Sequence, residues 1–116
     1  MREITCSTIT DAIKKMCIEA ATILPQDVEK ALSQKHDEED SALAQKTLQV
    51  LMDNAKLAQE KQMPICQDTG MAFVYVTMGQ EVHITGGSLN EAIQEGVRQG
   101  YTEGYFRKSV VKDPLF

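Results

Sequence analysis

The chain has 116 residues, 12 basic and 17 acidic, for a net charge of −5, and is 42% hydrophobic and 25% charged. That size makes one domain with one modest core, burying roughly two-thirds of the surface that the unfolded chain exposes. The acidic balance argues against a nucleic-acid partner, which needs a basic face. No apolar run reaches the roughly 18 residues that would argue for a membrane span. Three cysteines with no CxxC pair exclude a disulfide framework and a zinc site of ordinary spacing. The opening MREITCSTITDAIKK lacks the apolar stretch of a secretory leader, so a cytoplasmic location is the default expectation.

Taken in order, Ile9, Ile13, Met16, Cys17, Ala20 and Leu24 recur at helical spacing and predict a first helix over about Thr10–Ile23. Thr10 or Ser7 can cap it, and Pro25 stops it. A second helix is expected over about Gln26–Lys35, with Val28, Ala31 and Leu32 inward. The run His36-Asp37-Glu38-Glu39-Asp40 reads as a solvated loop. Ser41 or Asp40 then caps a third helix, about Ser41–Lys61. Its apolar face is Leu43, Thr47, Leu48, Val50, Leu51, Ala55 and Ala58, and Pro64 forbids its continuation.

Beyond Pro64 the period changes. Residues 71–78, MAFVYVTM, are rich in β-formers and predict a strand. Gly79-Gln80 is turn-like, and residues 81–85 alternate, so an antiparallel hairpin is expected. Ser88-Leu89-Asn90-Glu91 has the capping-box pattern and opens a fourth helix to about Arg107. Gly96, Gly100 and Gly104 form one stripe on it, each costing roughly 1 kcal/mol against alanine, so a close neighbour is expected there. The fold class is therefore α+β: three amino-terminal helices, a β-hairpin and a helix packed on it, as a fragment of a larger domain. Residues 1–62 are helical, 63–87 hold a loop and the hairpin, and 88–116 a helix with a short extended tail. Leu115-Phe116 is an apolar end that leads nowhere, as in an interrupted protein.

The chemistry gathers in Pro64-Ile65-Cys66-Gln67-Asp68-Thr69-Gly70. Asp-Thr-Gly is the active-site triplet of aspartic proteases, where two carboxylates share a proton. Those loops follow apolar strands, whereas here a long helix, Pro64 and the polar Gln67 lead in, so the protease reading fails. Thiolate is the usual ligand of iron–sulfur clusters. A ligand cysteine would be well served by Gln67, with donors and an acceptor, and by Asp68, a base. Asp68 can equally stabilise its own turn, and Arg107 can be a surface charge at a helix end. His83, alone in a strand, reads as a sheet residue, Cys17 as packing, and Cys6 as an isolated thiol.

Residues 61–70, KQMPICQDTG, followed by a hydrophobic strand, resemble the iron–sulfur hydro-lyases of the class I fumarase and L-tartrate dehydratase α family. The likeness continues through Ser88–Ile93, Gly100-Tyr101 and residues 105–115, YFRKSVVKDPL, and covers essentially the whole chain. The resemblance implies part of an enzyme that reversibly hydrates a C4 dicarboxylate, fumarate to malate before tartrate. It implies a [4Fe–4S] cluster held by three cysteines, one at the position of Cys66. It further implies Gln67 and Asp68 as substrate-binding, Asp68 as the proton-transferring residue, and Arg107 as a carboxylate clamp with Lys108 beside it. Cys6 and Cys17 do not match the family's other two ligands, which lie further along, and further substrate-binding groups belong to a separate β region. The chain alone is therefore expected to be inactive and not to retain a cluster. Its partners would be the rest of the α region and the β region, in an oligomer. The competing reading is a free-standing, non-enzymatic binding or assembly domain of the same fold.

Overall fold

The computed structural model describes residues 1–115. Phe116, half of the apolar end noted above, lies outside the described residues. The element order is β1 (Arg2–Thr5), α1 (Cys6–Thr22), α2 (Gln26–Glu38), α3 (Ala42–Lys61), β2 (Val82–Thr85) and α4 (Leu89–Glu103). This is an α+β arrangement of three helices, a two-stranded sheet and a later helix. The chain forms two compact units, one of residues 20–66 and one of residues 1–19 with the chain from Gln67 onward. No helix among the described residues is long and apolar enough to cross a membrane.

The unit of residues 20–66 holds the last turn of α1, then α2 and α3. Pro25 sits at the N-cap of α2 with φ −57°, and its carbonyl accepts the Glu29 amide at 3.0 Å. Asp27 and Glu29 in the first turn of α2, and Lys35 and His36 in the last, complement the helix dipole. This helix runs three residues past the expected Lys35, because Gln34 and Lys35 both donate to Glu38. Ser41 caps α3 as expected, accepting the Ala44 amide. At the far end Gln62 takes the left-handed conformation, φ 52°. The Met63 amide reaches the Ala58 carbonyl (3.0 Å) and the Gln62 amide that of Gln59 (3.4 Å), a Schellman closure made without glycine. Ala55, Ala58 and Thr22 are buried. Leu43, Val50, Leu51 and, on α2, Val28 were expected inward and are exposed. Periodicity marks the face that a helix offers for burial, and these residues find no covering surface in the described chain.

In the other unit, β1 pairs with β2 in parallel, Ile4 opposite Ile84, and the Arg2 amide bonds the Glu81 carbonyl at 2.9 Å. This corrects the expected antiparallel hairpin. Residues 71–78 join no ladder among the described residues. The edge of β2 is taken by Arg2–Thr5, a segment with one apolar residue and so no alternation to betray it. Thr5 Oγ1 accepts the Thr8 amide and caps α1, which starts at Cys6 rather than near Thr10.

Helix α4 packs on α1 and not on a hairpin. A Cβ added at Gly96 would lie 2.6 Å from Ile13 Cβ and 2.7 Å from the Thr10 carbonyl oxygen. At Gly100 it would meet Cys17 Cβ at 2.8 Å. Gly96 and Gly100 thus mark helix-on-helix contact, supported by the Thr10 hydroxyl donating to the Ala92 carbonyl (3.0 Å) and by Lys14–Glu103 at 3.4 Å, whereas Gly104, the C-cap, lies against the Phe106 ring. Burial raises the Cys17 thiol pKa, in keeping with a packing role. The capping-box side-chain bond at Ser88 does not form, although Ser88 is the N-cap. Helix α4 ends at Glu103, short of the expected Arg107, because Tyr105 turns left-handed (φ 54°) and the Phe106 amide closes back on the Tyr101 carbonyl at 2.9 Å.

Gly96→Ala should destabilise the chain by about 1–3 kcal/mol, the usual cost of overpacking, because a backbone carbonyl cannot move aside as a side chain can. A lower urea midpoint at unchanged slope would show it. Also on α4, the Arg98 guanidinium and then the Gln99 amide hold the Glu95 carboxyl down to about 2. Its folded pKa lies below the ordinary value of 4.5, so its contribution is complete above that value and is lost as pH falls from about 4.5 to about 2. Glu95→Gln should therefore flatten part of the acid limb of stability, read as a smaller difference in urea midpoint between the ends of that window.

Candidate functional site

The loop from Pro64 to Gly70 begins in the unit of residues 20–66. There the Ile65 amide bonds the Ala21 carbonyl at 2.9 Å, and Asn54 donates to the Ile65 carbonyl at 2.8 Å. Both main-chain polar groups of Ile65 are thereby held, and Cys66 follows as an exposed free thiol. Gln67 is also exposed, and its side chain makes no hydrogen bond among the described residues.

Asp68, Thr69 and Gly70 belong to the other unit and are tied down by their own side chains. Asp68 Oδ1 accepts the Gly70 amide at 3.0 Å, the Asx-type turn that the sequence allows, and Gly70 takes φ +62° to make it. The Ser109 hydroxyl also bonds the Asp68 carboxylate. These bonds, Ser109 first and the Gly70 amide second, hold the Asp68 carboxyl below its usual range. The Thr69 hydroxyl donates to the Arg107 carbonyl at 2.7 Å, and the Tyr101 hydroxyl lies 3.4 Å from the Thr69 carbonyl and 3.5 Å from that of Gly70. Tyr101 packs edge-on against Phe106, ring centroids 5.6 Å apart, and burial, then Cys17 and Asp68, raise its phenol pKa.

Two segments 38 positions apart, 68–70 and 107–109, are thus latched together, most closely through the 2.7 Å Thr69–Arg107 bond. Beside them lies an open depression of about 510 Å³, walled by Gly70, Met71, Val74, Ile93, Tyr101 and Lys108 among others. Lys108, rather than Arg107, stands on that wall, and Arg107 is exposed with its main-chain carbonyl engaged. Sequence reasoning singled out Cys66, Gln67, Asp68 and Arg107. It passed over Thr69 and Ser109, which have no periodic signal and become visible only when the two segments meet.

Among the described residues, no three His, Cys, Asp or Glu side chains gather where they could hold a metal ion. Cys6 directs its thiol to the Ser88 carbonyl (3.8 Å), Cys17 packs against Gly100, and His83 is an exposed strand residue. The exposed Cys66 thiol suits one ligand position. The donors of this chain do not fit a complete iron–sulfur cluster.

A carboxylate latched to a basic segment beside an apolar depression is an enzyme-like arrangement on a small α+β scaffold. Residues 10–116 match the family model described as fumarate hydratase (Fumerase), nearly the whole chain, and the chain belongs to that family. A Methanocaldococcus jannaschii protein provisionally named L(+)-tartrate dehydratase subunit alpha is 36% identical over 104 residues, covering 89% of this chain and 36% of the relative. A Geobacillus stearothermophilus protein provisionally named fumarate hydratase class I is 30% identical over 102 residues, covering 87% of this chain and 20% of the relative. The L(+)-tartrate dehydratase subunit alpha of Escherichia coli K12 is 25% identical over 104 residues, covering 90% and 34%. The chain therefore spans about a third or less of the length of these curated relatives.

Thr69→Val should cost about 1 kcal/mol, the usual net worth of one hydrogen bond, and should speed amide exchange in residues 68–70 and 107–109 together. Thr69→Ser keeps the donor and should restore the slower exchange.

Proposed function

We propose that this chain is the amino-terminal part of the α region of an iron–sulfur hydro-lyase that reversibly adds water to a C4 dicarboxylate. The observation that carries this reading is the latch between Thr69 and Arg107, which brings together the two sequence blocks most specific to the resemblance. In this reading the Cys66 thiolate is one of three ligands to a [4Fe–4S] cluster whose other ligands come from polypeptide outside this chain. When bound, such a cluster supplies Lewis acidity toward the substrate's oxygens.

This chain's own residues bind and move a proton. Gln67, with its amide unengaged, hydrogen-bonds the substrate. Asp68 is ionised at neutral pH and so accepts the proton at the carbon next to a substrate carboxylate during dehydration, returning it during hydration. The Ser109 and Gly70 bonds keep it in the accepting form and also weaken it as a base. Proton removal therefore depends on a carbon acidified by its substituents. Arg107 clamps a substrate carboxylate with its planar fork, and Lys108 adds positive charge on the wall of the depression.

Fumarate and malate are the first reading of the substrate, after the family's description. Tartrate is the second, because two of the three relatives described carry tartrate dehydratase α names. Those names support a β partner for this chain in a multi-subunit enzyme, and our reading puts that enzyme in the cytoplasm. The free-standing binding domain is less favoured, because a finished domain leaves fewer large apolar side chains exposed than are seen at Leu43, Val50, Leu51, Phe73 and Tyr75.

Anaerobic reconstitution tests the proposal. The chain alone, given iron and sulfide, should bind fewer than a cluster's complement of iron and should turn over neither substrate. Combined with the rest of an α region and a β region, it should hydrate fumarate or dehydrate tartrate, which decides the substrate. Cys66→Ser should abolish that activity, and Asp68→Asn should lower kcat by about 10²–10⁴-fold. Turnover by the chain alone, or an undiminished Asp68→Asn enzyme, would overturn the reading.

A further inference from the structure

Residues 71–78 are the least satisfied part of the molecule. They carry Met71, Phe73, Val74, Tyr75, Val76 and Met78, a strand composition, yet none of their main-chain groups bonds another main-chain group among the described residues. Both alternating sets face outward. Phe73 and Tyr75 are 73% and 93% exposed on one parity, and Val74 and Val76 are 38% and 53% exposed on the other. The segment is not a loose linker between distant elements. It starts at the latched Gly70 and ends at the Gly79–Val82 turn, where the Val82 amide bonds the Gly79 carbonyl at 3.1 Å.

A segment apolar on both parities is the pattern of a strand covered on both faces and paired at its edges, not of a half-solvated one. Left as it stands, it is an open template for a further strand. Its first residues also form, with Ile93 and Val97 of α4 and with Val110, the apolar floor of the 510 Å³ depression, so one face already has something to lie on.

We propose that residues 71–78 form an interior sheet strand whose neighbour is a strand from the portion of the family polypeptide that this chain does not contain. The length of the relatives identifies the occupant. The chain accounts for 36%, 20% and 34% of three of them, so each complete polypeptide carries far more chain than is present here. A second copy of this chain could pair with one edge of the segment, but it would bring no further segment to cover both faces or to fill the depression, which would stay open in each copy. The proposal rests on membership of the family and not on the hydro-lyase activity, so a failed activity assay leaves it standing.

The test is hydrogen exchange on the 116-residue chain, alone and mixed with the unmatched remainder of the Methanocaldococcus jannaschii relative. The amides of residues 71–78 should exchange freely in the chain alone and slow by about tenfold or more when the remainder is added, as loop amides do on joining a sheet. Val76→Pro, which removes a ladder donor, should abolish that protection while leaving exchange in α4 unchanged, which shows that the variant still folds. Protection that grows with the concentration of the chain alone would make a second copy the occupant and overturn the proposal. So would a remainder that does not bind, or that binds and leaves residues 71–78 unprotected.

Discussion

The close approach of α4 to α1 is the contact on which the candidate site depends. Gly96 and Gly100 allow the α4 backbone to come within reach of the Thr10 and Lys14 carbonyls, where any side chain would hold it away. Glycine is a poor helix former, so the stripe is a local loss of roughly 1 kcal/mol per residue accepted for a tertiary gain. That gain extends beyond the contact. The adjoining face, Ile93, Val97 and Tyr101, lines the depression, and the closure through Tyr105 and Phe106 throws the chain back so that Arg107, Lys108 and Ser109 run beside residues 68–70. If α4 moved by the width of a methyl group, the Thr69–Arg107 bond would be among the first casualties, since hydrogen bonds weaken steeply with distance and angle.

Much of this architecture was legible in the chain. The α3 helix, its Ser41 cap, the break at Pro25, the α4 start near Ser88 and the need for a close neighbour along the glycine stripe all follow from local chemistry, and the structure has them. What was not legible is non-local. Arg2–Thr5 is too short and too polar to read as a strand, and it becomes one only because Val82–Thr85 offers it an edge. The hairpin failed for the complementary reason. Residues 71–78 have every intrinsic preference for a strand, but preference does not supply a partner. The end of α4 was misplaced because a left-handed tyrosine has no sequence signature, whereas a glycine there would have had one.

The site divides in the same way. A thiol, an amide and a carboxylate in succession stand out at once, and so does a guanidinium in a basic segment. Their supports do not. Thr69 reads as the middle of a protease-like triplet, and Ser109 as the start of an apolar tail, yet these two hydroxyls join the loop to the basic segment. The protease resemblance dissolves on the same geometry. Asp68 is bonded to Ser109 and to the Gly70 amide within its own chain, a setting that favours the lone ionised carboxylate over a shared proton.

The mismatch between predicted and observed burial carries its own information. Leu43, Val50 and Leu51 fall on a helical face by every periodic criterion, and residues 71–78 read as an interior strand, yet all stand open. Hydrophobic periodicity records the environment in which a sequence does its work. A chain whose local elements form correctly while their apolar faces remain uncovered has a sequence matched to more surface than it carries. Cys66 is likewise an exposed free thiol, and among the described residues no three metal-ligating side chains gather. The uncovered faces are an observation of packing, and the relatives, of whose length this chain spans about a third or less, carry the further polypeptide that such faces call for.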